Sequence, residues 1–226
     1  MSRAALLPTP GDPFILAYFL KFFKEVWYNE VDRLYIYFNS PIEGAVVDAV
    51  EELCRDPKIT FIYRDNYSDH GGGINAMLDI CTEEYVMLIE DDGLVFKPRA
   101  VSDAFEWIES GQIDIVGGSR GSCALEIVEQ AKQVWGTDGH GPNFWPNFFF
   151  IKKEKLMLTD RNFNAKAWYR GERVAGLGLF VDSDVMYGDT FVNTSLQLRA
   201  MQLRIRLENQ YHLNTCLLYT SDAADE

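Results

Sequence analysis

Up to residue 92 the chain alternates short apolar runs with stretches of helical period. Residues 4–7 are a first apolar run, closed by Pro8-Thr9-Pro10. Residues 12–30 read as a helix, with Asp12 placed to cap it, Pro13 suited to its first turn and an almost wholly apolar stretch over 14–23. A second run, 34–38, ends at Asn39-Ser40-Pro41. Over 43–54, Val46, Val47, Val50 and Leu53 recur at the i, i+3, i+4 spacing of one buried helix face. Residues 59–63 form the next run, 73–81 the next helix, and 85–89 another run. The runs are too short for helices and too apolar for a sheet with one wet face. The pattern therefore predicts an α/β fold with a mostly parallel central sheet and helices on both faces.

Ligands on such sheets bind beyond the carboxyl ends of the strands. Those ends carry Pro8-Thr9, Asn39-Ser40, Arg64-Asp65-Asn66 and Glu90-Asp91-Asp92. The last is the most informative. The buried run Val86-Met87-Leu88-Ile89 leads straight into three consecutive carboxylates and Gly93. Like charges at a strand end repel, and a hard divalent cation with oxygen ligands relieves that repulsion. The plainer alternative is a solvated turn after a buried strand.

Further along, residues 148–151 read as a core strand, preceded by a glycine-rich and aromatic stretch in which Trp145 and His140 are candidates to approach a ligand. Gly117-Gly118-Ser119-Arg120-Gly121 is too loose for a phosphate loop, although Arg120 stands where a strand end would place it near a diphosphate. Trp168, Tyr169 and Arg170 are candidates for an acceptor side, as are Asp182 and Asp184. Residues 190–201 read as a helix with Asp189 before it, and an Asp there is also a good N-cap. Residues 203–207 alternate like an exposed strand that leads to His212.

Length and composition narrow the picture. A chain of 226 residues, 47% hydrophobic, suits one domain with a sizeable core. A net charge of −13 disfavours nucleic acid as a partner. The last eleven residues, 216–226, resemble the translated read-through of a sequencing adapter and are set aside as a non-native tail, which leaves 1–215 as the domain and implies a truncated C-terminus. Cys54, Cys81 and Cys123 then remain, without the paired spacing of a disulfide framework or a zinc site. They indicate a reducing compartment, with the cytoplasm as default. The apolar stretch 14–23 is too short for a transmembrane segment.

The order Pro8-Thr9, strand-end Asn39, Gly72-Gly73-Ile74-Asn75-Ala76, then Glu83-Glu84-Tyr85-Val86-Met87-Leu88-Ile89-Glu90-Asp91-Asp92 resembles the family 2-like glycosyltransferases with the GT-A fold. The resemblance covers roughly residues 4–212. It implies a nucleotide-sugar-binding half over 1–97 and an acceptor-side half over 98–215. By the same resemblance Asp92 is a metal ligand, Asp91 meets the ribose and Glu90 partners the metal. Pro8, Thr9, Asn39, Asp65 and Asn66 belong to the nucleotide-sugar site, and His212 is a third metal ligand. Pro98 matches a proline that follows the acidic motif. Asp189 becomes the catalytic base of an inverting transfer. The implied cofactor is Mn2+ or Mg2+. The implied partners are a UDP- or GDP-linked sugar and a glycan, lipid or protein acceptor. Two other readings stay open. One is a sugar-phosphate nucleotidylyltransferase, disfavoured because Pro8-Thr9-Pro10-Gly11-Asp12 has no basic residue. The other is a noncatalytic nucleotide- or carbohydrate-binding protein.

Overall fold

The computed structural model describes residues 1–41, 44–63, 68–118, 124–136, 145–174, 176–208 and 215–217. In chain order these form β1 (Arg3–Thr9), α1 (Pro13–Phe22), β2 (Arg33–Phe38), α2 (Ala45–Leu53), β3 (Ile59–Ile62), α3 (His70–Ile80), β4 (Tyr85–Leu88), β5 (Gly93–Val95), α4 (Ala100–Glu109) and β6 (Ile115–Gly118). They continue as α5 (Leu125–Trp135), β7 (Trp145–Lys152), α6 (Lys153–Leu156), β8 (Lys166–Tyr169), β9 (Val185–Gly188), α7 (Val192–Ala200), β10 (Ile205–Glu208) and β11 (Thr215–Leu217).

Seven strands make the central sheet in the order β10-β6-β7-β4-β1-β2-β3. All pairs are parallel except those of β7, which runs antiparallel between β4 and β6. The expected mostly parallel sheet is thus present, with one reversed strand inserted by a non-local pairing that no local pattern announces.

The period-2 alternation of β1 sorts the two faces. Ala5 and Leu7 pack with Leu16, Phe19 and Leu20 of α1, Val50 of α2 and Phe105 of α4. Ala4 and Leu6 face the other way, toward Ile74, Met77 and Leu78 of α3, Leu156 of α6 and Leu198 of α7. Both faces are covered, so the strands read as continuous apolar runs. A third cluster lies apart from the sheet and joins Ile127 and Ala131 of α5 to Trp168 of β8, Met186 of β9 and Leu196 of α7. No helix among the described residues is long and apolar enough to cross a membrane.

Several boundaries differ from the sequence reading for identifiable reasons. The helix over 12–30 is capped as expected, the Asp12 carboxylate accepting from the Phe14 and Ile15 N–H groups, but it is α only to Phe22. A π turn (Phe23–Trp27) and a 3-10 turn (Tyr28–Glu30) finish it. The widened turn lets Phe23 and Trp27 both enter the core, their rings edge to face at 4.7 Å. Helix α3 begins at His70 rather than 73, because Asp69 caps it by accepting the Gly72 N–H at 2.6 Å. In α2, Val50 is fully buried while Val46 is exposed, so the buried face is narrower than its periodicity suggests.

Candidate functional site

The parallel strands deliver β1, β2, β3 and β4 to one edge, and the acids follow β4 there. Glu90 and Gly93 close a tight turn through a Gly93 N–H to Glu90 C=O bond of 2.9 Å, which holds Asp91 and Asp92 at its apex. Asp91 is buried, and its Oδ2 accepts a 2.5 Å bond from the Thr9 hydroxyl at the end of neighbouring β1. That hydroxyl in turn accepts the Gly11 N–H at 3.0 Å. Thr9 is completely buried, so both sides of its hydroxyl are engaged in fixing the turn. Pro8, one residue earlier, is buried in β1 opposite Tyr37.

The electrostatics of this turn are unfavourable as they stand. Burial pushes the Asp92 carboxyl up to about 6, and the charge of Asp91 adds to the effect. Burial also raises Asp91, against the Thr9 hydrogen bond and with help from the Asp12 charge at the start of α1. Among the described residues, three buried side-chain atoms at this edge find no hydrogen-bond partner: Asp92 Oδ1, Asn39 Oδ1 and His70 Nε2. Native proteins seldom leave such atoms unmatched without a reason. An all-oxygen, multiply negative donor set with an orphaned carboxylate oxygen fits a hard divalent cation. Among the described residues no three His, Cys, Asp or Glu side chains gather into a complete cage. Any cation here would therefore take part of its shell from water or from a ligand's oxygens.

Helix α3 walls this edge through its glycines. A Cβ on Gly73 would come within 2.6 Å of Asn39 Oδ1 and 2.8 Å of the Tyr37 ring, and one on Gly71 within 2.7 Å of Asn164 Oδ1. The run Gly71-Gly72-Gly73 thus lets the helix start press against the end of β2. His70, in its first turn, stands with Nε2 3.7 Å from Glu90 Oε1. Burial pushes this imidazole below its ordinary range, while the Asp69 and Asp189 charges pull the other way. Sequence reading passed over His70. A polar residue opening a glycine run at a strand edge was the available signal.

Asp189 lies close enough to His70 for its charge to act on the imidazole. Asp189 is exposed, and its Oδ1 accepts the Thr190 N–H at 2.7 Å. Helix α7 begins later, after Phe191, whose backbone is left-handed at φ 70° and supplies no side-chain cap. Asp189 is therefore not the helix's capping side chain. Burial of Phe191 between Phe149 and Phe163 offsets the strain of that backbone.

Other candidates are placed differently. Trp168 is 1% exposed in the third core cluster and does not reach the surface as an acceptor-side residue would. Tyr169 is exposed, and Arg170 pairs with Asp184 at 2.8 Å, far out in solvent. Asp182 is likewise exposed. Asp65, Asn66, Arg120, His140 and His212 lie outside the described residues, and only the backbone of Trp145 is described.

With this geometry in hand, comparison with known proteins is direct. A search of curated proteins returns no match. Among solved structures, the fold matches a mannosyltransferase, PcManGT from Pyrobaculum calidifontis, whose structure is a complex with GDP-Man and Mn2+. The TM-score is 0.62 at 15% identity, over 92% of this chain and 54% of that one. The chain thus spans about half the length of that protein, and likeness at this identity establishes the GT-A-type fold alone. The family model of glycosyl transferase family 2 matches residues 23–171, from the end of α1 through the acidic turn to the hairpin of β8. That match takes in well over half of the sequence, and the chain belongs to glycosyl transferase family 2.

Proposed function

We propose that this chain is a cation-dependent, inverting glycosyltransferase that moves a hexose from a nucleoside-diphosphate donor to an acceptor hydroxyl. The observation that carries the reading is the Asp91–Asp92 pair at the carboxyl edge of the sheet, buried Asp91 beside half-buried Asp92, both raised in pKa and with Asp92 Oδ1 buried and unpartnered among the described residues. Nature seldom retains so costly an arrangement without a positive ligand. In this reading Asp92 holds Mn2+ or Mg2+, with Glu90 beside it and His212 as a further ligand. A cation bound there would neutralise the charge that gathers on the departing diphosphate. Asp91, fixed by Thr9, meets the ribose, and Asn39, Asp65 and Asn66 complete the nucleoside pocket. The GDP-Man and Mn2+ held by the Pyrobaculum protein support a nucleotide-sugar donor held with a divalent cation.

Asp189 takes the proton of the acceptor hydroxyl. The acceptor's oxygen then forms a bond to the sugar's anomeric carbon as the bond to the diphosphate breaks, and the leaving group departs with the electron pair. Attack on the face opposite the leaving group inverts the anomeric configuration. The exposed carboxylate of Asp189, uncommitted to helix capping, is suited to that role. The unpaired, buried thiols of Cys54 and Cys81 accord with a reducing cytoplasm.

The test is nucleotide release from GDP-mannose and UDP-glucose with Mn2+, for the chain and for Asp189→Asn. Release should fall about 100-fold or more in the variant while nucleotide affinity holds within about twofold. Equal release by both proteins contradicts the role of Asp189, and release by neither, with nucleotide bound, favours a noncatalytic binding protein.

A further inference from the structure

We propose that the concavity beside Asp189 is an acceptor subsite for an uncharged sugar, with Tyr187 as its stacking platform and Glu126 as a specificity-determining hydroxyl acceptor. This rests on Asp189 being the base. The concavity holds about 470 Å³ and is lined by Ala124, Ala165, Met186 and Tyr187, with the carboxylates of Glu126 and Asp189. That volume falls in the range of small-molecule sites.

The walls are preformed. Tyr187 sits in β9 opposite Ala167 of β8, and the Ala124 N–H donates to Tyr187 C=O at 2.9 Å. The first turn of α5, which carries Glu126, is thereby tied to the strand that carries Tyr187 and leads to Asp189. Gly188 sets the floor, because a Cβ there would come within 2.8 Å of both Trp168 and Val192. The strand can lie close on the buried indole only with glycine at that position.

The lining selects the ligand's chemistry. Among the described lining residues there are two carboxylates and no cation. Among the described residues, the basic groups of β8 and the turn after it are engaged elsewhere: Arg170 with Asp184, and Lys166 with Asn193 Oδ1 at 3.3 Å. A phosphate-bearing acceptor would meet repulsion without a counter-charge. A purely apolar chain would strip water from Glu126 and Asp189 and give nothing back. An uncharged sugar satisfies both demands. Its C–H face covers the Tyr187 ring, which is 65% exposed, and its hydroxyls donate to the two carboxylates.

Saturation-transfer NMR on the chain with Mg2+ and GDP, and in a parallel set with Mg2+ and UDP, tests this. The probes are the methyl glycosides of glucose, galactose, mannose and N-acetylglucosamine, the matching sugar 1-phosphates, and 1-octanol. At least one methyl glycoside should receive transfer, strongest at its ring C–H protons and above its 1-phosphate and octanol. The signal should fall about fivefold or more in Tyr187→Ala and in Glu126→Gln, and persist in Tyr187→Phe. No transfer to any glycoside, preference for a phosphate or for octanol, or equal signals in the Ala and Gln variants overturns the proposal. The nucleotide resonances in the same samples keep the two readings apart. Nucleotide contact with failed glycosides removes only the subsite, whereas absence of contact with both GDP and UDP removes the donor site and this proposal with it.

Discussion

Two acidic sites at opposite edges of one sheet show the same side chain in two electrostatic settings, one with its counter-charge built in and one without a cation beside it among the described residues. At the amino edge, Asp114 precedes β6 and is almost completely covered. Arg204, which precedes β10, grips it with two guanidinium nitrogens, Nε at 3.0 Å and Nη2 at 3.2 Å, and adds its backbone N–H at 2.9 Å. Lys155 of α6 closes the other oxygen. The arginine bonds foremost, joined by Lys155, hold the Asp114 carboxyl well below the ordinary carboxylate range. At the carboxyl edge, Asp91 is buried to a comparable degree and Asp92 partly so, with one hydroxyl between them and no cation among the described residues, and both are pushed up. Burial alone does not distinguish a structural acid from a functional one. The presence or absence of built-in counter-charge does.

The comparison breaks most readily at Asp114. Its depressed pKa contributes stability that is present above the unfolded value of about 4 and is lost as pH falls through the folded value. Asp114→Asn should therefore cost about 2–3 kcal/mol at pH 7, lower Tm by roughly 5–10 °C, and cost little in strong acid. Nucleotide binding should be untouched. Chemical denaturation from pH 7 down to the most acid pH at which the chain stays folded checks this: the loss should shrink steadily below about pH 4, and a loss that does not shrink at all would contradict the charge-based account.

Thr9→Val comes next. It leaves the Gly11 N–H and an Asp91 oxygen without their partner, at about 1–2 kcal/mol of stability. Because the same hydroxyl orients the acidic turn, affinity for nucleotide should fall about tenfold. Calorimetry on the variant reads both, and loss of stability with full affinity would separate Thr9 from the site.

The smallest effect has the opposite sign. A carboxyl whose folded pKa is raised keeps its proton longer in the folded chain than in the unfolded one. The contribution of Asp92 to stability is therefore fully present below about pH 4 and is lost as pH rises to about 6. Solvent screening at this partly exposed group reduces the effect to about 1 kcal/mol. Asp92→Asn should match the native chain near pH 4 and exceed its stability by about that amount at pH 7, without added cation. A variant less stable at pH 7 would mean that the carboxylate is already compensated.

Much of the carboxyl edge was legible because its parts are local. The apolar run into Glu90-Asp91-Asp92, the Pro8-Thr9 ending of β1 and the cap at Asp12 each declare themselves within a few residues. The pairings that complete the molecule are not local. Nothing in residues 145–152 says that this strand turns antiparallel between β4 and β6, and nothing near Asp114 names Arg204, ninety residues on, as its partner. Asp189 before a helix is equally a cap or a base on paper. Only the left-handed turn at Phe191 takes the carboxylate away from the helix end. Trp168 illustrates the reverse error, since an aromatic beside Tyr169 and Arg170 reads as ligand-lining, yet its indole is the floor of the third cluster.

The central claim is that Asp91 and Asp92, which follow β4 with no cation beside them among the described residues, hold a cation and, through it, a nucleoside diphosphate. Calorimetric titration of GDP and of UDP, with and without Mn2+, into the chain and into Asp92→Asn tests it most directly. The account predicts that one nucleotide binds with Mn2+, that omission of Mn2+ removes most of the heat, and that the variant binds about 100-fold more weakly or not at all. Binding of equal strength without Mn2+, or in the variant, would contradict it.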